Sequence, residues 1–106
     1  MVRDPAEILE ALYVAGFELQ TFERFPRAIG IVRGECIALL VPSDTGLQML
    51  GSPGWRIGEQ IGVLTTVNGR RVFQAKNETV DATDDRLELL KQFEIDLRQE
   101  MAPQPS

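Results

Sequence analysis

The sequence predicts an α+β domain: an N-terminal helix, an antiparallel sheet of four to five strands built from two hairpins, and a C-terminal amphipathic helix packed on the sheet. Three observations carry this expectation. Two tight-turn signals, Gly34-Glu35 and Asn68-Gly69, each sit between apolar runs of strand type. A helix-start signature opens the chain at Asp4-Pro5-Ala6-Glu7. Leu87, Leu90, Phe93, Leu97 and Met101 fall on one stripe at helical spacing near its end.

The first helix is expected over roughly 5–15. Asp4 is placed to accept from an orphaned backbone N–H, Pro5 suits the first helical position, and Glu7 completes a capping box. Ile8, Leu9, Leu12 and Tyr13 give the helix a broad apolar face, and Gly16 sits where a left-handed cap is wanted. Phe17-Glu18-Leu19-Gln20-Thr21 then alternates with period two, as a half-buried strand does. Pro26 ends that strand or places it at a sheet edge.

Ala28–Val32 and Cys36–Val41 flank the Gly34-Glu35 turn. The turn sets Arg33 opposite Cys36, Val32 opposite Ile37 and Ile31 opposite Ala38. The second of these strands is apolar on both faces, which calls for cover on both sides or for a dimer partner. Residues 42–58 contain Pro42, Gly46, Gly51, Pro53, Gly54 and Gly58, and read as an irregular connection with one short helical turn near Leu47–Leu50. Ile57–Val67 and Arg70–Lys76 flank Asn68-Gly69, pairing Leu64 with Phe73 and Val63 with Gln74. The last helix is expected from about 83 to 101, with Asp84, Asp85 and Glu88 at its positive end. Ile95 falls on its polar side, an isolated exposed apolar residue.

The 106 residues suit one domain over 1–101 followed by a disordered tail, 102–106. With 43% apolar and 25% charged residues the chain is of globular composition, which excludes intrinsic disorder and a collagen repeat. No apolar run is long enough for a membrane helix, and Met1-Val2-Arg3-Asp4-Pro5 does not open a secretory signal; the expectation is a cytoplasmic protein with no membrane partner. The net charge of −5 disfavours nucleic acid, whose phosphates demand a basic surface. That charge is unevenly spread, with a basic middle (24–76) between acidic ends, and nine of the eleven basic residues are Arg.

Chemistry is restricted by what the chain lacks. Without histidine, Ser–His and Cys–His nucleophile pairs and His-ligated zinc are excluded, and one cysteine, Cys36, permits neither an internal disulfide nor a multi-thiolate metal site. Cys36 heads the run Ile-Ala-Leu-Leu-Val and reads as a buried, inert thiol, although Arg33 opposite it favours the thiolate. Asp44-Thr45-Gly46 matches the core tripeptide of aspartic proteases, but Ser43 and Leu47 depart from that family's flanks and the helices do not suit its all-β subunit. An acidic series beginning at Asp81 fails the EF-hand pattern, with Arg86 at its sixth position and Gln92 at its twelfth. Gly51–Gly58 lacks the lysine of a phosphate loop. Asn77-Glu78-Thr79 matches a glycosylation acceptor, without consequence where no export signal exists.

Two binding features remain. In a simple meander the 33–36 and 67–70 turns share one end of the sheet, which would gather Arg33, Arg70 and Arg71 into an anion-binding edge. Trp55, the lone tryptophan, sits in the glycine-rich connection, either as a partner anchor or as a plug on the sheet edge. The functional expectation is a non-catalytic protein-interaction or regulatory module that self-associates, with no cofactor and no metal. The alternative is a sensor of an anionic small molecule, a metabolite or nucleotide, held by the arginines or the Gly54–Gly58 segment. A small hydrolase comes last.

Overall fold

The computed structural model describes residues 4–44 and 46–101; Thr45 and the expected tail 102–106 lie outside the described residues. Helix α1 (Pro5–Val14) leads into β1 (Glu18–Phe22), β2 (Phe25–Arg33), β3 (Cys36–Ser43), β4 (Gly46–Met49), β5 (Gly54–Ile57), β6 (Gln60–Val67), β7 (Arg70–Gln74) and β8 (Thr79–Asp81), and helix α2 (Asp84–Met101) follows. The expected Asp4 cap forms, without a Glu7 side-chain bond among the described residues to complete a capping box, and α2 is capped by Thr83, which carries no sequence expectation. The Asp4 carboxylate accepts from the Ala6 amide at 2.9 Å, and the Thr83 hydroxyl accepts from the Arg86 amide at 3.3 Å at the start of α2.

The architecture is α+β with an antiparallel sheet, and that sheet has eight strands where four to five were expected. Its order is β1-β2-β3-β5-β6-β7-β8, with β4 beside β3. Both turn registers hold: Arg33 faces Cys36, Val32 faces Ile37, and Ile31 faces Ala38. Leu64 faces Phe73 across the Asn68-Gly69 turn, where both turn residues adopt positive φ (52° and 79°), as a tight hairpin of right-handed twist demands.

The extra strands come from the segment expected to be irregular. In place of a helical turn, β4 pairs with the second half of β3 (Leu40–Ser43) and β5 with its start (Cys36–Ile37). These two short strands run head to tail along one edge of β3, separated by residues 50–53, and the Leu50 amide donates to the Leu39 carbonyl at 2.8 Å. Pro42 is tolerated inside β3 because the β2 ladder has already stopped at Ile29–Leu40, so its missing N–H breaks no bond there. The expected 57–67 strand is divided at Gly58-Glu59 into the end of β5 and the whole of β6. Strand β8 adds three residues to the outer side of β7.

Ile8 and Leu12 of α1, Leu90, Phe93 and Leu97 of α2, and Ile31, Ala38, Leu40, Trp55 and Phe73 of the sheet make one buried cluster. The predicted α2 stripe therefore faces the sheet, while Ile95 remains 41% exposed. On the opposite sheet face Val32 and Ile37 are buried at 2% and 1% exposure, and the Phe22 ring lies over Gly30. Strand β3 thus obtains cover on both faces from this chain alone and needs no partner for it.

Candidate interaction site

The structure separates the residues that a simple meander would have gathered. Strand direction alternates along the sheet, and the β4–β5 pass adds one reversal between β3 and β6. The Gly34-Glu35 turn and the Asn68-Gly69 turn consequently lie at opposite ends. Arg33 sits at one end; Arg70 and Arg71 sit at the other. The three-arginine edge does not form, and the reason is the strand count.

Arg33 is instead a packing residue. Its guanidinium lies 4.9 Å from the centre of the Phe17 ring and 5.8 Å from that of Phe93, and it donates to the Asp96 carboxylate of α2 at 2.9 Å. A flat cation against two touching aromatic rings, held by a carboxylate, ties β2 to α2. Arg33→Ala is expected to cost about 1–2 kcal/mol in urea denaturation, the sum of two cation–π contacts of roughly 0.5–1 kcal/mol each. Arg70→Ala serves as contrast: its pair with Asp81, at 3.0 Å, has side chains 72% and 59% exposed, so about 0.5 kcal/mol or less is expected.

The Asp96 carboxyl is held below the usual carboxylate range by the Gln92 amide first and then by Arg33. A depressed folded-state value means that this contribution is present above the ordinary carboxylate range and is lost as the pH falls through the lowered value. Acid denaturation of Asp96→Asn should accordingly show a flatter pH dependence in the acid limb than the wild type.

Trp55 lies within β5, not in a loop. It is 7% exposed, and its ring stacks on Phe73 with centres 5.3 Å apart and planes 13° from parallel. The Arg86 guanidinium sits 5.9 Å from the indole, so the ring is engaged by two partners inside the chain. Gly54–Ile57 being a paired strand, no glycine-rich loop is available there to cradle an anion. Arg71 is exposed and forms no ion pair among the described residues.

Cys36 is buried at 4% exposure, and burial pushes its thiol up to about 11 against the opposing pull of Arg33. Native protein at pH 8 should therefore resist a thiol-disulfide reagent that labels the urea-unfolded chain completely. Because the folded value is raised, stability is intact below the ordinary thiol range and declines as the pH climbs from there toward about 11. Asp44 is exposed at the β3–β4 turn. Asp81, first in the EF-hand-like series, is occupied by Arg70 through its side chain and by Arg86 through its carbonyl, at 3.0 and 2.7 Å.

Among the described residues several stretches are paired on one side only, including β4, which pairs with β3 alone, residues 63–67 of β6, which pair with β7 alone, and β1, the five-residue outer strand. The two-residue turn closes on the Arg33–Cys36 pair, so those residues exchange their backbone bonds and Val32 turns its N–H and C=O toward β1, opposite Glu18. Alternation then aims the backbone of Glu18 and Gln20 at β2, and that of Leu19 and Thr21 away from the sheet. Leu19 is 45% exposed and Thr21 is exposed. Natural edges are normally blunted by charged side chains, Pro, bulges or a covering element. Glu18–Phe22 has one charge, Glu18, at its start and a register shift against β2 at Thr21/Phe22, but no Lys or Pro, and the stretch 19–21 is regular. The opposite edge, β8, is three residues long and flanked by the Arg70 and Arg86 contacts to Asp81. Pro26 marks the 17–21 run as an edge candidate in the sequence; which of its amides point outward requires the β2–β3 register.

No protein-family model, curated protein or solved structure matches this chain.

Proposed function

We propose that this chain is a non-catalytic protein-binding module that engages an extended segment by strand addition at β1. The observation that supports the reading is the outward-facing backbone of Leu19 and Thr21 on an edge without Lys or Pro. An incoming strand would satisfy both amides and both carbonyls and would cover the exposed Leu19 side chain. The sensor alternative draws less support, since the arginines stand at opposite ends and the glycine-rich segment is β5. Cytoplasmic location is part of the proposal; among the described residues, no helix is long and apolar enough to cross a membrane.

The test is a screen of a random library of extended peptides, with binders mapped by amide chemical shifts. Binders that move Leu19 and Thr21 and are lost in Thr21→Pro support the module. Proline is suited to this position because the Thr21 N–H makes no bond within the sheet, so its removal leaves the fold intact. A library without binders, or with binders mapping away from β1, removes the reading.

A further inference from the structure

Strand β1 is complementary to itself, and we infer that its occupant is a second copy of this chain, joined through an antiparallel β1–β1 pair centred on Gln20. This inference rests on the strand-addition reading above and names the partner for it. Under a two-fold axis at Gln20, residue 19 of one copy meets residue 21 of the other, and residue 18 meets residue 22. Leu19 and Thr21 are the two positions whose backbone groups face outward, so each Leu19–Thr21 pair exchanges two hydrogen bonds. Symmetry doubles the pair, giving four new backbone bonds and one sheet running through both molecules.

The side chains agree with this register. Glu18 meets Phe22 of the second copy and not another carboxylate, so the axis places no like charges directly opposite one another. Gln20 meets Gln20, two amides that can donate and accept reciprocally. Leu19, 45% exposed in the monomer, gains cover from Thr21 on the helix side of the joint sheet.

Charge at the ends of the pair is complementary too. The same axis sets the Glu23-Arg24 turn of one copy beside the junction of α1 and β1 in the other. That junction is electronegative: it holds Glu18 and the C-terminal end of α1, whose last turn contains no basic residue. Arg24 and Arg27 are exposed and form no ion pair among the described residues. Tyr13 and Val14, 71% and 79% exposed at the end of α1, stand at the same junction. Arg24 of each copy thus meets the electronegative, apolar corner of the other, twice per dimer, with Glu23 beside it offsetting part of that attraction.

Sedimentation equilibrium of the full chain, from micromolar to millimolar concentration, tests the inference. The mass should rise from 11.8 kDa toward twice that value. Thr21→Pro and Leu19→Lys should each remain monomeric where the wild type is dimeric, with the same far-UV circular dichroism and, compared in dilute protein where the wild type is also monomeric, the same melting temperature. Amide exchange on the wild type supplies a readout independent of any variant: Leu19 and Thr21 should exchange more slowly in concentrated than in dilute protein. A wild type monomeric at millimolar concentration overturns the second copy as occupant, while the peptide screen separately decides whether β1 binds strands at all. A dimer that persists in both folded variants, with Leu19 and Thr21 unprotected, also overturns it by locating the contact elsewhere.

Discussion

Replacing Phe93 with alanine is expected to lower stability by about 3–5 kcal/mol, the usual loss when a fully buried phenylalanine is truncated. The Phe93 ring is 0% exposed, meets the Phe17 ring edge-on at 5.7 Å and 67°, and lies beneath Arg33. Its removal opens a void at the point where α2, β1 and β2 are fastened together. A domain of this size shifts its Tm by about 4–8 °C per kcal/mol, so a fall of roughly 15 °C or more is expected. Urea denaturation followed by circular dichroism measures the loss. Leu89→Ala is the control: Leu89 is on the same helix but 59% exposed, and a change within about 0.5 kcal/mol is expected there. Equal effects from the two substitutions would mean that α2 does not pack by its Leu90–Phe93–Leu97 stripe.

Gly54→Ala is expected to be the second most damaging change, at about 2–3 kcal/mol, the upper part of the range for overpacking. A Cβ at this position would stand 2.5 Å from the Gly62 carbonyl oxygen and 2.8 Å from Ile61 Cγ2. The first neighbour is backbone and cannot rotate away. Relief requires β5 and β6 to separate, and those are the strands that carry the sheet from β3 to the Asn68-Gly69 hairpin. The same denaturation experiment reads the effect, and Gly34→Ala separates steric crowding from turn conformation. Gly34 has φ +62°, and a methyl group there would meet no neighbour within 4 Å, so its cost is conformational only, about 1 kcal/mol. A Gly54→Ala protein as stable as the wild type would show that the two strands are not in close approach.

The two central hairpins were legible residue by residue. Gly34-Glu35 and Asn68-Gly69 are two-residue turns, and a two-residue turn leaves one register for the strands on either side. Both helices were legible for similar reasons, Asp4 and Pro5 marking one start and the five-residue apolar stripe marking the face of the other. The candidate site was legible only in outline. The alternation of 17–21 and Pro26 suggested an edge strand, but the outward direction of the Leu19 and Thr21 amides depends on Val32, which depends in turn on Cys36 across the next turn.

The sequence by itself determined the elements whose signals lie within a few residues: the Asp4 cap of α1, two turns, two strand pairings and the buried stripe of α2. Tertiary structure alone decided how many times the chain crosses the sheet. Gly46–Met49, Gly54–Ile57 and Thr79–Asp81 are three or four residues long, too short for a periodicity that announces a strand. They become strands because the edges of β3 and β7 offer them backbone partners. One unannounced crossing reverses the direction of everything after it. That reversal sends Arg70 and Arg71 to the end opposite Arg33, and the added strand β5 places Trp55 in the core.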